Sequence, residues 1–211
     1  MESVFHRTML WAALLTFDDG PDDVNTPAVL SILKENDVKA TFYLLGKSAK
    51  AYPDVVKQIY AMGCAIGNHS YDHDYGRLYQ SPAAYIKEMD ETDAILKSIL
   101  GVRPLITRAP GGVAGHFNKH YWDTLKKYGY AEHDWNISSA DAAPNHPVAQ
   151  DFIDNIQSQV ESDYAPSSAI ILMHSSSGHE ETVKALPTII RVLREHGYHF
   201  GVITPMTPQP W

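Results

Sequence analysis

The sequence predicts an α/β protein, a single domain of parallel β/α units that closes, or nearly closes, into a barrel. Three observations lead there. Apolar β-type runs alternate with amphipathic helical patterns in about seven units, which together use most of the 211 residues. No linker rich in Gly, Ser or Pro breaks the alternation, so the units belong to one domain. The polar punctuation falls mostly after the strands, where β/α barrels carry their chemistry. Length agrees, because a chain of this size buries roughly 70% of its unfolded surface and needs no cross-links.

The elements follow in order. WAALLTF (11–17) reads as the first strand. Thr26-Pro27 combines an N-cap residue with proline at the first helical position and opens a helix to about Lys34. KATFYLL (39–45) is the second strand, Pro53–Met62 a short helix and CAIGN (64–68) a brief third strand. Ser81-Pro82 repeats the cap-plus-proline signal and opens the longest helix, which Gly101 ends. PLIT (104–107) is a strand, His116–Lys127 a helix, YAEHDW (130–135) a strand and Val148–Val160 a helix. AIILMH (169–174) is the most strand-like run, Thr182–Glu195 a helix stopped by Gly197, and HFGVIT (199–204) the last strand.

Composition excludes several classes of function. The net charge of −8, with no cluster of Lys and Arg, argues against a nucleic-acid surface. Cys64 is the single cysteine, which rules out an intramolecular disulfide and a thiolate metal cage. In AMGCAIG it reads as a small buried hydrophobe. No run of ~18 apolar residues offers a membrane span. MLWAALL lacks the charged start and cleavage pattern of a secretion signal. Residues 1–11 are expected to be an N-terminal extension or a cloning remnant, 12–205 the domain and 206–211 a tail.

Five stretches carry candidate chemistry, one after each of five strands. LLTFDDGP (14–21) sets Asp18 beside Asp19 where a strand runs out, although neighbours on a strand point to opposite faces. In GNHSYDHDYG (67–76), His69 and His73 are four apart, a spacing that sets two imidazoles on one side of a helical turn. Two histidines and a carboxylate form a ligand set for a divalent ion; the alternative is a solvated loop. His116 and His120 repeat the spacing, with no acidic residue beside them, and read as a decoy. TRAPGGVAG (107–115) places Arg108 before two glycines, which can turn backbone N–H groups toward a ligand or simply make a surface turn. HDWNISSAD (133–141) offers Trp135 as an apolar wall and Asp141 as an orienting carboxylate, with Asp134 a polar strand-end residue. ILMHSSSG (171–178) ends the most hydrophobic strand on His174, a functional or a structural histidine.

Taken in order, TFDDGP, NHSYDH, RAPGG, the DWNISSAD stretch and LMH resemble the five motifs of the polysaccharide deacetylases, the NodB-homology domain of carbohydrate esterase family 4. The likeness runs from about Ala12 to about Pro205. It implies a distorted (β/α)7 TIM-like barrel and a metal-dependent hydrolase. Such an enzyme removes N-acetyl groups from N-acetylglucosamine units of peptidoglycan or chitooligosaccharide and releases acetate. By position, the resemblance makes Asp18 the catalytic base and Asp19, His69 and His73 the metal ligands. It pairs Arg108 with Asp18, gives the oxyanion to the Gly111 N–H, and makes His174 a general acid tuned by Asp141. Trp135 and Leu172 then line the acetyl pocket.

Four positions depart from the family pattern. Gly111 stands where many relatives carry an aromatic, so a ring beside the sugar is lost. Ser138 replaces a common acidic residue, Ala142 a frequent tryptophan, and Ser175 a frequent aspartate. None removes a proposed catalytic group, since Gly111 keeps its N–H. The alternatives are an O-deacetylase acting on acetylated xylan, and a carbohydrate-binding barrel that has lost turnover. An Fe²⁺ oxygenase also uses two histidines and a carboxylate, but it has no use for Asp18 or His174. The expected cofactor is one divalent ion, Zn²⁺ first, with Co²⁺, Ni²⁺ or Mn²⁺ accepted by the same donors. The expected partner is an acetylated glycan met by a monomer, outside the cell or at the wall, with no nucleic acid and no membrane span.

Overall fold

The structure is a computed structural model that describes residues 11–145 and 147–210. The expected N-terminal extension therefore lies, but for Trp11, outside the described residues. The strands are β1 (Trp11–Asp18), β2 (Thr41–Leu44), β3 (Ala65–Asn68), β4 (Ile106–Thr107), β5 (Ala131–Glu132), β6 (Ile137–Ser138), β7 (Ser168–His174) and β8 (Tyr198–Gly201). The helices are α1 (Asn25–Glu35), α2 (Gly46–Ala51), α3 (Pro53–Ala61), α4 (Tyr75–Leu78), α5 (Pro82–Leu100), α6 (Lys119–Tyr128), α7 (Ala149–Val160) and α8 (Glu180–Glu195).

Every strand pairing is parallel, in the order β5-β4-β3-β2-β1-β7-β6. β1 pairs along seven residues with β7, from Ala12 opposite Ser168 to Asp18 opposite His174. Its other edge is shared: Trp11–Leu14 take β8, and Thr16–Asp18 take β2. That branch distorts the barrel. The path ends at β5 and β6, which only residues 133–136 separate in the chain. A link that short reaches no more than about 18 Å, so the two ends of the sheet must curl toward each other. The result is a curled parallel sheet wrapped by helices, matching the (β/α)7 expectation, with β8 off the main path.

The alternation along β1 explains both the core and the placement of the site. Ala13, Leu15 and Phe17 point toward the helices and join Val29, Leu33, Phe42, Ile189 and Leu193 in the main core. Leu14, Thr16 and Asp18 point inward, where Leu14 meets Tyr43, Ile106, Ile170 and Ile203. The inward column thus runs from apolar to charged as the strand approaches its C-terminal end. β7 repeats the pattern, with Ile170, Leu172 and His174 on the inward face. Cys64 is buried, as expected.

Several expected elements differ in detail. The α1 cap is not Thr26, which lies inside the helix. Asp22 supplies the cap instead: its Oδ1 accepts from Thr26 N at 2.8 Å, and Thr26 Oγ1 accepts from Asp22 N at 3.1 Å. Ser81 does cap α5, accepting from Ala84 N at 3.1 Å. The long expected strands PLIT and YAEHDW keep two ladder residues each, and α2, α4 and β6 are additional. Residues after β8 return along β5, where His133 Nε2 donates to Thr207 O at 2.9 Å. No helix among the described residues is long and apolar enough to cross a membrane.

Candidate active site

The C-terminal ends of β1, β3, β4 and β7 converge on one cluster. The backbone turns out of the strand at Asp19, whose φ of 68° lies in the left-handed region. Both neighbouring carboxylates therefore reach the same imidazole. His69 Nε2 stands 3.7 Å from Asp18 Oδ2 and 3.4 Å from Asp19 Oδ1. His73 Nε2 is 3.8 Å from that same Asp19 oxygen.

The two histidines are not on a helical turn, contrary to the spacing argument. They sit on a loop in which Ser70 (φ 74°) and His73 (φ 65°) both take the left-handed conformation. The loop is tied down by its own contacts: His73 N donates to Ser70 Oγ at 3.1 Å, and Gly46 N and Lys47 N donate to the carbonyls of Ser70 and Tyr71. His69 Nδ1 lies 2.8 Å from the Arg108 carbonyl, which can only accept. The proton is therefore on Nδ1, and Nε2 offers its lone pair to the cluster. Burial, then the neighbouring His69, holds His73 below the usual imidazole range, partly opposed by Asp19.

The residues fit a divalent cation. Asp19, His69 and His73 each offer one donor atom, all within 4.8 Å of one another, and they form the one such triad among the described residues. Asp19 Oδ1, the atom both imidazoles face, is buried without a hydrogen-bond partner among the described residues. A buried carboxylate oxygen left unpaired is costly, and a cation is what relieves it.

Arg108 lies behind Asp18 and is fully buried. Its Nη1 donates to Asp18 Oδ1 at 2.9 Å and to Thr16 Oγ1 at 2.6 Å. Nε and Nη2 donate to the carbonyls of His133 (2.9 Å) and Asp134 (3.1 Å). The Tyr43 ring lies 4.3 Å from the guanidinium carbon. This fork fixes one oxygen of Asp18 and leaves the other facing His69.

Across Asp19 stands His174, its Nε2 4.0 Å from Asp19 Oδ2. Asp141 Oδ1 holds His174 Nδ1 at 2.8 Å, while Asp141 Oδ2 accepts from the His174 N–H (2.8 Å) and Thr182 Oγ1 (2.7 Å). Burial pulls the His174 imidazolium down. Asp141, by hydrogen bond and charge, outweighs it with help from Asp18 and Asp19, and holds the group up at about 9. Burial likewise acts against the Asp141 carboxylate, but its bonds to His174 and Thr182 keep it below the usual range. His179 stacks on the His174 ring at 4.9 Å. Beside the pair, Ala142 helps line a depression of about 430 Å³ together with Pro144, Val148, Phe152 and His179.

Gly111 has φ 73°, and its N–H has no hydrogen-bond partner among the described residues. A Cβ there would come within 2.5 Å of Tyr75 Oη. The ring missing at position 111 is thus supplied from α4: Tyr75 fills that space and meets His73 edge-on at 5.1 Å. Trp135 and Leu172 are half-buried; the Trp135 ring borders Gly112, and Leu172 shares the inward face of β7 with His174. The decoy pair separates. His116 stacks on Tyr79 at 4.0 Å outside α6, and His120 is exposed on that helix. Thr16, Thr182, Tyr75 and His179 were not anticipated. Of these, Thr16 alone had a signal, two residues before Asp18 on a strand of period two.

A parallel β/α barrel with a carboxylate–histidine cluster at the C-terminal strand ends has the layout of an enzyme active site and suits metal-assisted hydrolysis. The family model for polysaccharide deacetylases matches residues 11–133, more than half of the chain, and the chain belongs to that family. It is thereby a hydrolase of the class that acts on amide C–N bonds. A peptidoglycan-N-acetylglucosamine deacetylase of Bacillus cereus is 36% identical over 188 residues, 89% of this chain and 67% of that protein. The chain thus spans about two thirds of that relative's length. Among solved structures, a Streptococcus mutans CE4 esterase superposes with TM-score 0.87 at 29% identity, covering 92% of this chain and 87% of that one. The B. cereus polysaccharide deacetylase Bc1974 superposes with TM-score 0.82 at 34% identity, covering 92% of each chain.

Proposed function

We propose that the chain is a metal-dependent N-deacetylase of N-acetylglucosamine-containing glycans, peptidoglycan or chitooligosaccharide, and that residues 12–205 are its catalytic unit. The carrying observation is the asymmetry across Asp19: ligating imidazoles on one side, and a histidine held cationic by Asp141 on the other. Asp19, His69 and His73 would hold the ion, Zn²⁺ or another divalent metal. Such an ion supplies Lewis acidity to a water and to an acetyl carbonyl.

The chain's own residues do the rest. Asp18 Oδ2, the oxygen Arg108 leaves free, accepts the proton of the attacking water. The Gly111 N–H donates to the carbonyl oxygen as charge develops there. As the C–N bond breaks, His174 gives its Nε2 proton to the leaving amine, and Asp141 holds the ring and its charge throughout. Trp135 and Leu172 wall the acetyl methyl, with the Tyr75 ring alongside. The products are acetate and a free amine.

An acid built this firmly favours an amide over an ester, because an alcohol leaves with less help than an amine. The relatives' names associate the chain with the bacterial wall, where it would act as a monomer on polymeric glycan. Acetate release from chitooligosaccharides, peptidoglycan and acetylated xylan, with and without chelator, tests the reading. Release from the amide substrates, abolished by chelator and restored by metal, is expected. Release from xylan alone would make it an O-deacetylase; glycan binding with no acetate from any substrate would make it a binding homologue.

A further inference from the structure

Two acidic residues of the same stretch, Glu132 and Asp134, are buried and have no task in the chemistry above. Both act on the loop that carries Gly111, at its two ends. Glu132, on the outer face of β5, accepts from Ala109 N at 2.6 Å through Oε1 and from Thr107 Oγ1 at 2.5 Å through Oε2. Asp134, just past the end of β5, accepts from Val113 N at 3.0 Å through Oδ2. Between these anchors, Gly112 N closes a turn onto the Ala109 carbonyl at 2.8 Å. Gly111 projects from that turn with its own N–H unpaired among the described residues.

Nothing in the fold alone requires carboxylates here. Burial works against both charges: Glu132 is pushed up to about 7, and Asp134 is raised as well. Asp134 Oδ1 has no hydrogen-bond partner among the described residues. Main-chain anchoring by neutral side chains would avoid that cost. A carboxylate, however, binds an N–H more strongly than a neutral acceptor does, and so holds a loop more tightly. The same two residues and His133 lie beside Arg108, whose Nε and Nη2 take the carbonyls of His133 and Asp134. One segment, 132–134, thereby orients the guanidinium behind Asp18 and the loop in front of it.

We propose that Glu132 and Asp134 are positioning residues that clamp loop 109–113 at both ends and present the Gly111 N–H as a preorganised donor to the developing oxyanion. The proposal rests on the deacetylase reading for the oxyanion, but the clamp itself can be read without turnover. Donors of this kind contribute only when held in place before charge develops, and a misplacement of about 1 Å costs on the order of 100-fold in rate.

The experiment compares Asp134→Ala and Glu132→Met, which remove the acceptors, with Asp134→Asn and Glu132→Gln, which keep an amide oxygen in reach. Steady-state kinetics on chitooligosaccharide, zinc affinity and amide hydrogen exchange at residues 109–113 are measured for each. The acceptor-less variants should lose about 10- to 100-fold in kcat, with KM and zinc affinity within about 2-fold of wild type. They should also expose the Ala109 or Val113 amide to exchange, while the amide variants, which keep a weaker neutral acceptor, fall between them and wild type in both readouts. Unchanged exchange or unchanged kcat in both acceptor-less variants overturns the clamp. So does an equal kcat loss in Asp134→Asn and Asp134→Ala, or a loss that zinc affinity accounts for. If the acceptor-less variants do not fold, the amide variants decide through exchange: loosened Ala109 and Val113 amides support the clamp, and amides protected as in wild type overturn it. Wild-type protein that releases no acetate defeats the deacetylase reading, separately from the exchange result.

Discussion

The left-handed turn at Asp19 decides how two neighbouring carboxylates share one site. A strand would send them to opposite faces; φ of 68° brings both to His69, with Arg108 compensating one and the donor atoms of the two imidazoles suited to a cation on the other. Their tasks should therefore separate on substitution. Asp18→Asn is expected to lower kcat by about 100- to 10,000-fold while zinc still binds, as metal analysis of the purified variant would show. The acid side is equally specific. Without Asp141, burial is opposed only by the charges of Asp18 and Asp19, and the His174 pKa falls from about 9. Since His174 must be protonated to serve, the alkaline limb of the kcat profile should move to lower pH in Asp141→Asn. A profile with an unmoved alkaline limb would contradict the acid assignment.

At the scale of elements, β5 is short in the ladder yet dense in function. Its Glu132 carries a carboxyl that burial, most of all, raises from 4.5 to about 7. The sign of the linkage follows from that direction: the native state holds this proton more tightly than the unfolded chain does. The contribution to stability is then complete below about pH 4.5, falls as pH rises and is lost above about pH 7. Glu132→Gln removes the dependence. Urea midpoints of wild type should fall relative to the variant between those pH values and run parallel above them. The helical elements were mostly legible, because Ser81-Pro82 and Gly101 punctuate α5 in the chain itself. The loop bearing His69 and His73 was not. A spacing of four fits a helix, and only Ser70 and His73 in left-handed conformations show that the chain does otherwise. The expected strand at β5 ran on past Glu132, where the carbonyls of His133 and Asp134 turn to Arg108 instead of the ladder, while β4 ends at Thr107 as expected but starts two residues later.

For the whole molecule, the barrel converts distance in sequence into contact. Asp18 and Arg108 are 90 positions apart and 2.9 Å from each other; Asp141 and Thr182 meet at 2.7 Å. A cation bound by Asp19, His69 and His73 joins the loops after β1 and β3, so it binds the native state alone. Saturating zinc should stabilise the wild type by about 2.7 kcal/mol at 100 times its dissociation constant. His69→Ala should show no such gain in thermal unfolding; an equal gain would place the ion elsewhere.

The order of the motifs, the alternation of strands and helices, and the identity of the chemical groups are properties of the chain read end to end. They sufficed for the parallel barrel, for the family, and for bringing Asp18, Asp19, His69, His73, Arg108, Asp141 and His174 into consideration together. Tertiary structure decided what depends on atoms remote in sequence. It showed that Tyr75 fills the space over Gly111, that His179 stacks on His174, and that His116 serves an aromatic stack. It also turned Asp134 from a strand-end residue into a brace for Val113. The physical reason is one of range. Side-chain period and turn chemistry act over a few residues, whereas packing, burial and hydrogen-bond pairing in this barrel join residues more than a hundred positions apart.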